Sequence, residues 1–142
     1  MSSRLIILAL LITGIVFLSI PSCQSESEIT YLRYYTSGKK LYEANCQNCH
    51  NSDGNGLAQL YPPLTDSIYL KQNKTKLACY IKYGLSGEIQ IAGKAYNAQM
   101  PAQKNLSDIE IAEIVTYVTN SFGNKQGFYG ADMATKDLKN CN

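Results

Sequence analysis

The stretch Cys46-Gln47-Asn48-Cys49-His50 holds the only histidine of the 142-residue chain. Two thiols three positions apart can each add across a vinyl group of one haem, and the adjacent imidazole then lies beside the iron. Residues of these types in this order are the attachment pattern of a single covalent haem c. Without the histidine, a Cys-x-x-Cys pair would equally suit a redox dithiol or half of a zinc site. A zinc site needs further Cys or His ligands, and none lies within twenty-five residues on either side except Cys23.

His50 supplies one axial nitrogen, so a second axial donor must come from elsewhere. With no other histidine, the remaining common donor is methionine, whose soft thioether favours low-spin iron and raises the reduction potential. Met1 lies in the export segment, which leaves Met100 and Met133. Met100 precedes Pro101, which removes a backbone donor and stiffens the loop presenting the sulfur. Met133 lies beyond the last strong helix signal, so Met100 is the expected ligand; the plain alternative is a core methionine.

Arg4, the apolar run Leu5 to Ile20 and Pro21-Ser22-Cys23 read as a bacterial lipoprotein signal over residues 1–22, with Cys23 the acylated first mature residue. A soluble export signal, or an uncleaved segment barely long enough to span a bilayer, would fit the same residues. All three place the domain outside the cytoplasm, facing the periplasm in the lipoprotein case. Removing Arg4 leaves 12 basic and 11 acidic residues, a mature charge of +1. Nothing in that balance favours a nucleic-acid partner.

The elements that must position these residues follow from pattern. Gln24 to Glu28 is polar and aperiodic, so residues 23–36 are expected to form a flexible tether. A first helix from about Ser37 delivers Cys46, with Gly38 and Tyr42 on one face. Gly54, Gly56, Pro62 and Pro63 mark a loop. A middle helix over roughly Thr75 to Tyr83 stops at Gly84, and Glu88 to Ile91 alternates like a strand that turns at Ala92-Gly93-Lys94. The last helix has a capping box, Ser107 to Glu110, followed by Ile111, Ile114, Val115 and Val118 at helical spacing until Gly123.

Taken together, Cys46-x-x-Cys49-His50, Asp53-Gly54-x-Gly56, Pro62-Pro63-Leu64, Met100-Pro101 and a helix ending Tyr117-Val118-Thr119-Asn120 resemble the monohaem class I cytochrome c family over about residues 37–124. The resemblance implies an all-α, cytochrome c-like fold: three to five helices around the haem and a short hairpin-like segment before the distal ligand loop. It also implies that Pro62, or its neighbour Pro63, accepts the second ring proton of His50. Gly38, Tyr42 and Tyr117 would form the crossing of first and last helices. Tyr96 is a candidate haem-side hydrogen-bond donor, with surface packing as the alternative.

Residues 125–142 read as a C-terminal extension. Once Cys23, Cys46 and Cys49 are assigned, Cys79 and Cys141 remain, and in an exported protein a disulfide between them is the economical reading. A buried Cys79 with a free Cys141 is the alternative. With both axial positions filled and the sole histidine engaged, no nucleophile–base pair is left for catalysis and no small-molecule substrate is expected. Electron transfer between a donor and an acceptor protein, at a membrane reached through a lipid anchor, is the expected function. The alternatives are a cytochrome subunit of a dehydrogenase or oxidase complex, and a haem sensor or peroxidase with an open sixth site.

Overall fold

The computed structural model describes residues 3, 4 and 25–141. The expected lipidated residue, Cys23, and the apolar run before it lie outside the described residues. Among the described residues, six α-helices between Glu26 and Leu138, one more than the three to five expected, and one two-stranded hairpin give an all-α arrangement of the kind the resemblance implies. No helix among the described residues is long and apolar enough to cross a membrane.

Helix α1 spans Glu26–Asn45. It begins well before Ser37, so most of the segment expected as a flexible tether is helical. The local cause is a cap: Ser25 Oγ accepts from Glu28 N at 3.3 Å, while Glu26 and Glu28 in the first turn face the positive end of the helix dipole. The tertiary cause is packing by the chain's other end. Tyr34 meets Phe128 edge-on at 4.8 Å, Tyr35 meets Tyr117 at 5.2 Å, and Ser121 Oγ donates to Tyr35 Oη at 3.0 Å.

Helix α2 is the single turn Gln47–His50, and α3 is Ser67–Gln72, which the sequence pattern did not reveal. Asp66 starts α3 by accepting from Ile68 N and Tyr69 N at 3.0 and 2.9 Å. A 3-10 turn, Lys74–Lys76, runs into α4, Leu77–Tyr83. Strands β1, Ile89–Ile91, and β2, Lys94–Tyr96, pair antiparallel, with Ile91 opposite Lys94 and positive φ at Ala92 and Gly93 between them.

Helix α5, Asp108–Val118, carries the core. Ser107 and Glu110 form the reciprocal cap, and Ile111, Ile114, Val115 and Val118 are all buried. Helices α1 and α5 cross at Gly38, where an added Cβ would run into the Glu113 carbonyl and come within 2.9 Å of Tyr117 Cβ. Only glycine permits that approach. Tyr42, 1% exposed, seals the crossing against Tyr117 with ring centroids 5.3 Å apart.

The C-terminal extension folds onto this core. It contains α6, Ala131–Leu138, packed on α4 and α5. Thr116 Oγ1 donates to the Tyr129 carbonyl at 2.9 Å, and Thr135 Oγ1 donates to Asp108 Oδ2 at 2.6 Å. Cys79 on α4 is joined to Cys141 by a disulfide, their Cα atoms 5.6 Å apart across 62 residues of sequence.

Candidate haem site

Cys46 caps the end of α1, its N–H donating to Tyr42 O at 2.8 Å, and the single turn of α2 then sets Cys49 and His50 beside it. Neither thiol is in a disulfide. Burial, with a smaller contribution from neighbouring Cys49, pushes the Cys46 thiol up to about 11. Before haem is attached it is therefore a protonated thiol at neutral pH, in a wall of low polarity.

The His50 ring is held by one directed bond, Nδ1–H donating to the Pro62 carbonyl at 3.0 Å. Pro62 rather than Pro63 makes that contact. Burial pushes the imidazole below its ordinary range and outweighs the Pro62 bond, which acts the other way. The ring is thus neutral, with Nε2 free to donate its lone pair to a metal. The intervening loop is tied down at several points. Gly56 N donates to His50 O at 3.1 Å, Leu64 N to Gly54 O at 2.7 Å, and Tyr42 Oη to Asn51 O at 2.6 Å. Gly56 has φ +68, and a Cβ there would lie 2.7 Å from the Pro62 carbonyl oxygen. The glycine lets the acceptor reach His50.

Met100 is positioned from the other side. Its backbone pairs with Leu85 in both directions: Leu85 N donates to Met100 O at 3.1 Å, and Met100 N donates to Leu85 O at 2.9 Å. The helix-ending Gly84 has φ +79, and a Cβ on it would lie 2.5 Å from Met100 O. After Pro101, Gln103 N donates to Ile81 O at 2.9 Å, and Lys82 Nζ donates to Lys104 O and Leu106 O at 3.0 and 2.6 Å. Helix α4 therefore grips both ends of the methionine loop.

The two walls face a common cavity of two adjoining lobes, and Cys46, His50, Pro62, Leu85 and Met100 line both. No Asp, Glu, Lys or Arg side chain lines either lobe. One lobe is bounded by Leu70, Leu77, Ile114 and Val115, and the other by Cys49, Tyr96 and Gln99. Tyr96 is buried at the end of β2 and belongs to the second lobe. Met133, 38% exposed on α6, lines neither. Two thiols, one neutral imidazole and one thioether around an apolar slot fit a haem held covalently and ligated axially. Among the described residues, no cluster of three His, Cys, Asp or Glu side chains could hold a bare metal ion.

Sequence reasoning missed two contributors. Leu85 holds Met100 through backbone alone, which leaves no side-chain signature. Asn124, 2% exposed, donates through Nδ2 to Leu64 O at 2.8 Å and Val118 O at 3.0 Å, tying the loop behind His50 to the end of α5. Its polarity so soon after an apolar helix was the available signal.

Residues 35–121 match the family model for cytochrome c. The chain is 32% identical over 97 residues to cytochrome c-552 of Thermus thermophilus, covering 66% of this chain and 73% of that protein. It is 34% identical over 126 residues to the fructose dehydrogenase cytochrome subunit of Gluconobacter japonicus, covering 85% of this chain but 26% of that subunit. It is 32% identical over 93 residues to a subunit of the cbb3-type cytochrome c oxidase of Rhodobacter capsulatus, covering 64% of this chain and 30% of that one. With the attachment residues, the cavity and these matches in agreement, the chain belongs to the cytochrome c family and carries covalently bound haem c.

Proposed function

We propose that this cytochrome c passes single electrons between redox proteins outside the cytoplasm, with His50 and Met100 as axial ligands and Cys23 as a lipidated membrane anchor. The observation that carries the ligand assignment is that His50 and Met100 line both lobes of one apolar cavity. The bound haem supplies the one-electron couple. Pro62 orients the imidazole and strengthens its donation, and the Leu85 pairing with Gly84 fixes the backbone from which the Met100 sulfur projects. The apolar lining disfavours the more highly charged oxidised state and so favours a raised potential. With both axial donors supplied by the chain, a peroxidase or gas-sensing role is disfavoured.

The test is Met100→Ala. It should abolish the weak far-red band of sulfur-ligated ferric haem and permit carbon monoxide binding to the reduced form, while Met133→Ala changes neither. An unaltered Met100→Ala spectrum overturns the ligand assignment.

A second reading, a cytochrome subunit of a dehydrogenase or oxidase complex, draws on the alignment to the fructose dehydrogenase subunit across 85% of this chain. Stoichiometric co-purification with a catalytic subunit from detergent-solubilised native membranes would select it over a free carrier.

A further inference from the structure

We propose that the outward face of the first half of α1, formed by Ile29, Leu32, Arg33 and Thr36 and continuing to Lys40, lies on an anionic membrane surface and orients the haem domain there. The proposal rests on the anchor reading above.

Positions 29, 32, 33, 36 and 40 fall on one stripe of an α-helix. The opposite side of α1 is occupied by Tyr34 on Phe128, Tyr35 on Tyr117 and Gly38 on α5. The stripe itself is uncovered: Ile29 is 37% exposed and Leu32 45%, and with Arg33 and Thr36 they border a shallow surface groove. The twelve residues of α1 from Glu26 to Ser37 precede the globular crossing at Gly38, and the first nine of them precede the family match at residue 35.

Where the chain comes from identifies the occupant. Only Gln24 and Ser25 separate Cys23 from the first residue of α1. Three extended steps of at most ~3.6 Å reach ~11 Å. Acyl chains on Cys23 therefore put hydrocarbon within reach of Ile29 and Leu32. Arg33 and Lys40 flank that apolar pair with cationic groups suited to anionic headgroups. Of the nearby carboxylates, Glu26 and Glu28 sit in the first turn of the helix, near its positive end, and Glu43 is paired with Lys39 at 3.8 Å.

The consequence concerns geometry rather than affinity. Helix α1 runs without interruption for 20 residues to Cys46, a length of ~30 Å. It is a strut, and its attitude fixes that of the haem. Laid on the surface, it holds the haem near the membrane; standing upright, it would lift Cys46 by that whole length.

The experiment uses full-length holoprotein carrying a nitroxide on Thr36→Cys, or on Lys94→Cys in the exposed hairpin, in vesicles of phosphatidylethanolamine with phosphatidylglycerol. Collision with oxygen reports lipid, and collision with a water-soluble nickel chelate reports solvent. The oxygen-to-nickel ratio at Thr36 should be several-fold above that at Lys94, and should fall to the Lys94 value when Ile29→Glu and Leu32→Glu are added. Protein that floats with the vesicles yet shows equal ratios at both sites overturns the membrane face and leaves the anchor standing. Protein that fails to float overturns both. A Thr36 label equally shielded in lipid-free protein assigns the face to residues 5–22 or to a second copy, and overturns the proposal.

Discussion

The wall that carries His50 is closed by short loops. Tyr42 reaches Asn51 across 9 residues, and His50 reaches Pro62 across 12. The wall that carries Met100 depends on longer ones: Lys82 reaches Lys104 across 22 residues, and α4 is joined to the C-terminus at Cys79–Cys141 across 62. Closing a loop costs entropy that grows with its length, so most of the histidine wall can form from its own segment, and only the Asn124 bond to Leu64 O, across 60 residues, waits for α5. The methionine wall needs α4 in place first, and α4 is held partly by the tail. Damage far from the cavity should therefore reach the methionine before the histidine.

The largest expected effect comes from removing what the two walls enclose. Cys46→Ala with Cys49→Ala should release the haem into acid–acetone, whereas the wild-type pigment stays with the polypeptide. Wild-type pigment that extracts freely would end the covalent assignment and, with it, the comparison.

The methionine wall is broken next at Gly84. Alanine there must adopt φ +79 and place a Cβ 2.5 Å from the Met100 carbonyl oxygen. Backbone strain and overpacking together cost about 2–5 kcal/mol. The expected signature is a weakened far-red band and a lowered denaturation midpoint, with the haem still covalently attached. A variant that loses stability but keeps its full far-red band would show that the methionine is held by something other than this backbone pair.

Cys79→Ser with Cys141→Ser tests the remote tie. Losing a crosslink of this span should cost about 2–4 kcal/mol. Amide exchange should accelerate first in α6 and α4, then around Met100, and last at Gly56 and Leu64 behind His50. Uniform acceleration across both walls would remove the distinction between them.

The same contrast explains what was legible in the sequence. The histidine wall could be read because its determinants are local: two thiols, a histidine, two glycines and a proline within one short segment. The Ser107 to Glu110 cap, the apolar stripe of α5 and the shared face of Gly38 and Tyr42 were legible for the same reason, whereas their crossing with Tyr117 was implied by the family resemblance. Met100 was identified by elimination, while Leu85, its backbone partner, carries no chemical mark. The start of α1 was misread for a tertiary reason. Residues 26–36 have a weak apolar period, and the aromatic face that stabilises them is completed by Phe128 and Tyr117 from the far end of the chain. The signal that could have found it was Ser25 followed three residues later by Glu28, the pattern that caps a helix. Helix α6 was hidden likewise, since Thr116 and Asp108, its partners on α5, looked like ordinary polar positions.

The smallest effect separates the walls by pH. Tyr129, wholly buried in the tail, donates its hydroxyl to Asp137 Oδ2 at 2.7 Å; burial first, then that bond, hold its phenol well above the ordinary range. The folded protein thus keeps a proton that the unfolded chain gives up near pH 10. The stabilisation is fully present below ~10 and drains away as pH rises toward the folded value. Tyr129→Phe should cost about 1 kcal/mol at pH 7 through the lost hydrogen bond. Above pH ~10 its stability should fall less steeply than wild type, so the two curves approach each other. Tyr42, behind the histidine wall, is shifted the same way, chiefly by burial. Tyr42→Phe should also flatten the alkaline limb, but with spectral loss at the histidine side, because the bond to Asn51 goes with it. Denaturation midpoints measured from pH 7 to 11 decide the matter: a Tyr129→Phe curve running parallel to wild type would show that the buried tail phenol contributes nothing to alkaline lability, leaving Tyr42 and the histidine wall to account for it.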